Sequence, residues 1–265
     1  MVKQQAEPKG QRAVQSVEVG GRLLLALAEH PAPMTLKDLA AAAGLPASRA
    51  HPYLVSFGRL GLIEQDATSA RYALGPAALQ VGLACLHQSD PLKAAMPVAE
   101  ALATAIDQTV AIAVWANFGP TIVRVIEGSR PLHLNMRAGT VMAILGTATG
   151  KAFAAVLPAH KLEQAVAGPL GDPRRASRAV LGEFRRELKS VVAEVRAHGI
   201  ARAVGRPIPG VNAFSAAAFD HEDEPALVIT ALGHEDVFAA RWDSPLAAAV
   251  RGAAAEVSRR LGQRR

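Results

Sequence analysis

Residues 35–75, TLKDLAAAAGLPASRAHPYLVSFGRLGLIEQDATSARYALG, constrain this chain more than any other stretch. Thr35 is a good N-cap, and Asp38, three residues on, completes a capping box with Asp in place of Glu. Leu36, Leu39, Ala40 and Ala43 form an apolar stripe at helical spacing. Gly44 supplies the positive φ that ends this helix, and Leu45-Pro46 opens the next. That next helix is expected over residues 47–60, with Leu54, Phe57 and Leu60 toward the core. Residues 62–65 and 71–74 read as short strands, joined by a turn from Asp66 to Ala70. Two helices about a tight turn, then a small hairpin, make the plan of a winged helix-turn-helix. Such a unit sets its second helix in the major groove of DNA.

The flanking segments extend the pattern. Residues 1–12 are polar and read as a loose tail. Residues 14–29 predict a first helix with Val17, Leu24, Leu27 and Ala28 on one face, weakened in the middle by Gly20-Gly21. His30-Pro31-Ala32-Pro33 stops it. After Gly75-Pro76, residues 77–88 predict a linker helix, and Ser89-Asp90-Pro91 caps another that runs to about Ile106. A domain boundary is expected near residue 88. Beyond it the character changes. Strands are expected at 110–115, 121–126, 132–136, 214–219 and 226–232, and helices at 148–156, 185–198 and 245–261. Neighbouring strands joined by short turns predict an α+β fold with an antiparallel sheet.

The bulk numbers sharpen the partner class. The chain has 265 residues and is 50% hydrophobic, enough for two cores. Its net charge of +6 favours an anionic partner, nucleic acid first. Yet residues 1–87 hold eight Lys/Arg against six Asp/Glu. Pattern, not charge, therefore points to the DNA-binding region. The single cysteine, Cys85, excludes a disulfide framework or a Cys-based zinc site within one chain. In an apolar helix without an activating base, it reads as a buried thiol. The N-terminus lacks an apolar signal core, and no run reaches the roughly 20 apolar residues that span a bilayer. A soluble, cytoplasmic protein is expected, with no membrane contact, no metal and no cofactor.

A family resemblance rests on three segments. GLPASRAHPYLVSFGRLGLIEQD and RYALG, within residues 44–75, resemble the DNA-binding domain of IclR-type bacterial transcription regulators. GTVMAILGTATGKAFAAVLP, at 139–158, resembles that family's segment ending in Thr-Ala-x-Gly-Lys. RAHGIARAVGRPIPGVNAFSAAAFD, at 196–220, resembles its stretch of Pro-Gly-Val, a short strand and Asp. The likeness covers about residues 15–262. It implies a winged helix-turn-helix over 13–75, a linker helix over 76–90 and a GAF-like effector-binding domain over 91–263. It further implies a homodimer or homotetramer on an approximately palindromic double-stranded operator. The effector would be a small organic acid, aromatic ones included, and the target a catabolic operon. Two departures stand out. Pro52 replaces a basic residue usual in the recognition helix, while Arg49 stands where a small polar residue is common and restores a basic group nearby. A place near the helix start should let the helix tolerate Pro52. Ala203 and Ala213 occupy positions where some relatives carry an acidic residue and a cysteine, so a less polar, roomier pocket is expected.

Candidate site residues follow. Ser48, Arg49 and His51 open the recognition helix, whose N-terminal residues reach base edges, and Arg49 suits a bidentate contact to guanine. Arg71 on the wing and Lys37 on the preceding helix suit phosphates. The alternative for each is a solvated surface residue, and for Arg49 the context favours DNA. In the second domain the resemblance implies that Leu145, Gly146, Val211, Ala213 and Thr230 line the effector pocket. Thr147, Ser215 and Thr230 offer hydroxyls, and Asn212 fixes either a loop or the ligand. Plain core packing is the alternative for the aliphatic members.

The loop from Gly146 to Lys151 is one residue short of a P-loop, and Ala152 replaces the Mg²⁺-binding hydroxyl. His221, Asp223, His234, Glu235 and Asp236 could bind metal but read as solvated turn residues. Neither Gly-x-Ser-x-Gly nor His-Glu-x-x-His occurs, so an enzyme is not expected. Two other readings stay open: an enzyme built on the 146–151 loop, and a protein-interaction sensor whose DNA-binding unit has decayed at Pro52.

Overall fold

The computed structural model describes residues 14–129, 132, 136–167 and 178–264. The chain divides into two compact units, 1–88 and 89–265.

The first unit contains α1 (Gln15–Glu29), α2 (Leu36–Ala42), α3 (Ala47–Arg59), β1 (Ile63–Gln65), β2 (Tyr72–Leu74) and α4 (Pro76–His87). Thr35 caps α2, its Oγ1 accepting the Asp38 N–H at 3.2 Å and donating to Asp38 Oδ2 at 2.7 Å. The Asp38 carboxylate thus takes the hydroxyl proton of Thr35, where a capping box would give it the backbone N–H. Gly44 has φ +67, as the turn requires. β1 and β2 pair antiparallel, with Ile63 opposite Leu74 and Gln65 opposite Tyr72. Asp66 Oδ1 closes the turn by accepting the N–H groups of Ser69 and Thr68 and the Ser69 hydroxyl. These bonds, the Ser69 N–H foremost, hold the Asp66 carboxyl below its ordinary pKa. Met34 bridges to Tyr72 through two backbone bonds, which ties the hairpin to the loop before α2.

Three details differ from the sequence reading. The buried stripe of α1 is Val19, Gly20, Leu23, Ala26 and Leu27, whereas Val17 and Ala28 face solvent. Gly20 explains the rotation: a Cβ there would lie 2.8 Å from Phe57 Cζ and 3.3 Å from Tyr53 Cδ1, so α3 packs onto bare backbone. Leu60 is the C-cap of α3 and is 65% exposed, outside the helical periodicity that made it a core candidate. Cys85 is exposed rather than buried. The first turn of α4 is anchored by the Ala77 N–H on the Gly61 carbonyl, but every residue from Leu79 to Leu86 is exposed.

The second unit contains α5 (Pro91–Ile106), β3 (Thr109–Ala116), β4 (Gly119–Ile126), α6 (Ala148–Val156), α7 (Ala159–Val166), α8 (Arg178–His198), β5 (Ala201–Val204), β6 (Val211–Phe219), β7 (Pro225–His234) and α9 (Pro245–Arg260). The strands form one antiparallel sheet in the order β4-β3-β7-β6-β5. Side-chain alternation divides two cores. Val110, Ile112, Phe214, Leu227 and Ile229 pack with α5 and α9. Ala111, Ala113, Val228 and Leu232 pack with α6, α7 and α8. Both faces of the sheet are covered, so its strands are apolar almost throughout.

Here too the structure adds elements. α7 and β5 were not read as elements, and α8 starts at Arg178, seven residues before the expected 185. β5 has only four residues, too few to show an alternation. Of the strand expected at 132–136, residues 133–135 lie outside those described. Among the described residues, no helix is long and apolar enough to cross a membrane.

Candidate functional site

In the first unit the candidate site is the outer face of α3. Ala50 and Leu54 are buried against α1 and α2, and Tyr53 and Phe57 are half-buried. Ser48, Arg49, His51, Pro52, Val55, Ser56 and Arg59 are exposed and share the opposite face at helical spacing. Among the described residues, the side chains of Arg49, His51 and Arg59 form no hydrogen bond or ion pair, which leaves their donors available. Lys37 is exposed in the first turn of α2. Arg71 is less free, since its Nη1 donates to the Pro33 carbonyl at 3.1 Å and fastens the wing to the loop before α2. Val55, Ser56 and Arg59 belong to the same face and were not singled out in the sequence, where only the helix start drew attention.

Pro52 requires a correction. It is the sixth residue of α3, past the first turn, so its missing N–H does cost the Ser48 carbonyl an intrahelical partner. The helix nevertheless continues to Arg59. Ser48 is exposed, so water can satisfy that carbonyl, and Ser56 Oγ donates to the Pro52 carbonyl at 3.0 Å.

In the second unit a cavity of ≈ 270 Å³ opens between the sheet and the start of α6. Val211, Ala213 and Thr230, which the resemblance pointed to, line it together with Thr147, offered for its hydroxyl, and Ala203. Thr147 is the N-cap of α6; its Oγ1 accepts the Gly150 N–H at 3.0 Å and donates to the Ala143 carbonyl at 2.8 Å. Thr230 Oγ1 lies 2.9 Å from Thr149 Oγ1 and 2.7 Å from Ser215 Oγ, making a chain of three hydroxyls. The remaining wall is largely apolar, with Met136, Met142, Ile208 and Leu232. Among the described residues, Arg206 is its one charged member.

Four expected lining residues lie elsewhere. Leu145 packs into the core beneath α6. Gly146 borders a smaller neighbouring cavity with Lys151 and Arg206. Ser215 does not line this cavity and meets it only through Thr230. Asn212 points to the other side of the sheet from Ala213, as alternation demands. Its Oδ1 accepts the Gly205 N–H at 3.1 Å and its Nδ2 donates to the Phe238 carbonyl at 3.0 Å, so it holds the loop. The lining residues that the sequence reading missed include Thr140, Thr149, Arg206, Pro207 and Ile208. The Gly205-Arg-Pro-Ile-Pro-Gly210 run, a rigid loop carrying one cation, was the signal for the last three.

The loop that resembled a phosphate cradle is closed. Gly150 presses on the carbonyls of Ala143 and Ile144, and Lys151 Nζ donates to the Arg202 carbonyl at 3.2 Å. His234 Nδ1 pairs with Asp236 at 3.1 Å on the surface, and among the described residues no group of three His, Cys, Asp or Glu could hold a metal.

Residues 16–67 match the IclR helix-turn-helix domain, and residues 83–259 match the bacterial transcriptional regulator IclR C-terminal domain. The chain belongs to the IclR family. This IclR-family protein is therefore a DNA-binding transcriptional regulator and not an enzyme, which disposes of the catalytic reading of the 146–151 loop. Among solved structures it resembles Pseudomonas aeruginosa HmgR, with 34% identity and a TM-score of 0.82, over 94% of this chain and 99% of that one. Among curated proteins it is 25% identical to the HTH-type transcriptional regulator KipR of Bacillus subtilis over 90% of this chain and 94% of that protein. It is 29% identical to the HTH-type transcriptional regulator TtgV of Pseudomonas putida, over 76% and 75% respectively.

Proposed function

We propose that this IclR-family regulator controls a catabolic operon in response to a small organic acid held in the cavity beside α6. The observation that carries this reading is the chemistry of the wall: one guanidinium, Arg206, and the Thr147, Thr149 and Thr230 hydroxyls beside otherwise mostly apolar side chains. Such a site holds a carboxylate at one end and an apolar body at the other. An apolar space of about 150 Å³ accepts benzene, so ≈ 270 Å³ accommodates an aromatic acid. The helix α3 reads an approximately palindromic operator in the cytoplasm, with Ser48, Arg49 and His51 toward bases and Lys37 toward phosphate. The acid shifts the population between arrangements that do and do not match the operator spacing.

The test is calorimetric titration with aromatic and aliphatic carboxylates and their primary amides. Arg206→Gln is expected to weaken the preferred acid by roughly ten- to a hundredfold, the loss of a charge-assisted bond. Acid-free operator affinity should not change. Equal binding of the acid and its amide to the native protein overturns the carboxylate reading.

The exposed apolar residues of α4 support a homodimer or homotetramer. Leu79, Val81, Leu83 and Leu86 are 40–64% exposed on a helix that is apolar on every side. A helix of that composition is stable when covered, and a second copy supplies the same surface. Leu83→Glu is expected to lower the mass measured by light scattering to that of a smaller assembly. An unchanged mass excludes α4 as the interface.

A further inference from the structure

A second cavity, of ≈ 380 Å³, lies beside the start of β5, where Gly199 and Ile200 precede the strand. β5 pairs with β6 only from Ala201 opposite Ser215 to Val204 opposite Asn212. β6 continues to Phe219 with no strand on that side among the described residues. The space left there is closed by α6, the end of α8 and α9. Its walls are apolar, with Ala152, Val156, Val195 and Ala254 among them, and its charged members are Arg196 and Arg251. Among the described residues, no carboxylate lines it. The other polar members are already engaged. Ser258 Oγ accepts the Phe219 N–H and donates to the Ala254 carbonyl, and Gln263 donates to Asp223. Arg251 uses only Nη1, on the His198 carbonyl at 3.3 Å. Arg196 forms no hydrogen bond or ion pair among the described residues. Among the described residues, two guanidiniums with free donors and no carboxylate beside them therefore share one apolar-walled cavity.

We propose that this cavity is a second ligand site, for a small organic carboxylate whose anionic end sits between Arg196 and Arg251. The pairing follows the fork geometry of guanidinium with carboxylate. The apolar walls select a ligand with a hydrocarbon body over a bare inorganic anion. The proposal does not depend on the cavity beside α6. The two spaces approach each other at Ser215, which lines the second and bonds Thr230 of the first.

The experiment is methyl NMR on the full-length protein, titrated separately with benzoate, hexanoate and inorganic phosphate. Benzoate or hexanoate is expected to shift the methyl signals of Val156, Val195 and Ala254 saturably, in the native protein and equally in Arg206→Gln. Arg196→Gln, at an exposed and unbonded residue, should weaken that binding about tenfold, the loss of one charged hydrogen bond. Adding Arg251→Gln should abolish it. Overturning results are no saturable shift with either carboxylate, a shift with phosphate alone, or undiminished binding in the double variant. Loss of acid binding beside α6 with these shifts intact would defeat the proposed effector pocket and leave the second site standing.

Discussion

Replacing Gly150 by alanine is expected to lower the melting temperature of the second unit by roughly 10 °C or to leave the protein insoluble. Gly150 lies in the first turn of α6, where its N–H donates to the capping Thr147. A Cβ added there would meet the carbonyl oxygens of Ala143 and Ile144 inside van der Waals contact, with the Ile144 carbonyl carbon at 2.6 Å. These are backbone atoms of the loop that crosses α6, so no rotamer change relieves the overlap. Overpacking of this kind costs about 3 kcal/mol or more, a large part of the roughly 5–15 kcal/mol that holds a domain together. Gly182→Ala is the control. A Cβ at Gly182, within α8, meets nothing within 4 Å, and alanine is the better helix former. Differential scanning calorimetry decides the matter: equal melting of the two variants removes the steric account of the Thr-Ala-Thr-Gly segment.

The second large effect is on DNA. Arg49→Ala is expected to lower affinity for the operator by roughly 5- to 150-fold, the range of one lost bidentate base contact at about 1–3 kcal/mol. Arg49 is exposed in the first turn of α3, and its guanidinium is not spent on a protein partner. Arg71 is the informative comparison. Its guanidinium is already bonded to the Pro33 carbonyl, so Arg71→Ala should loosen the wing and weaken all sequences alike. Electrophoretic mobility shift with operator and scrambled duplex separates the two. A decayed DNA-binding unit predicts that Arg49→Ala changes neither.

Local chemistry was legible in the sequence. The Thr35 cap, the Gly44 turn and the Asp66 hairpin each depend on residues within a few positions, and all formed. Tertiary packing was not. Gly20 read as a weakness in α1, but it is where Phe57 and Tyr53 approach the backbone, a fact that involves residues more than thirty positions away. The strand alternation sets Ala213 and Thr230 on the cavity and Asn212 against it. A polar residue beside a presumed pocket had suggested otherwise, because the strand start at Val211 was not visible. Arg206 escaped notice since loop residues carry no periodicity. The apolar run in α4 read as ordinary helix, and only the fold shows that its own unit leaves it uncovered.

Fluorescence anisotropy of the full-length protein on its own upstream DNA, against a scrambled duplex at moderate salt, tests the central claim most directly. A panel of aromatic and aliphatic acids is then added. The account predicts a preference of at least about a thousandfold for the upstream DNA, changed by one class of acid and by no amide. Equal, salt-sensitive binding to both duplexes, indifferent to every acid, would contradict it.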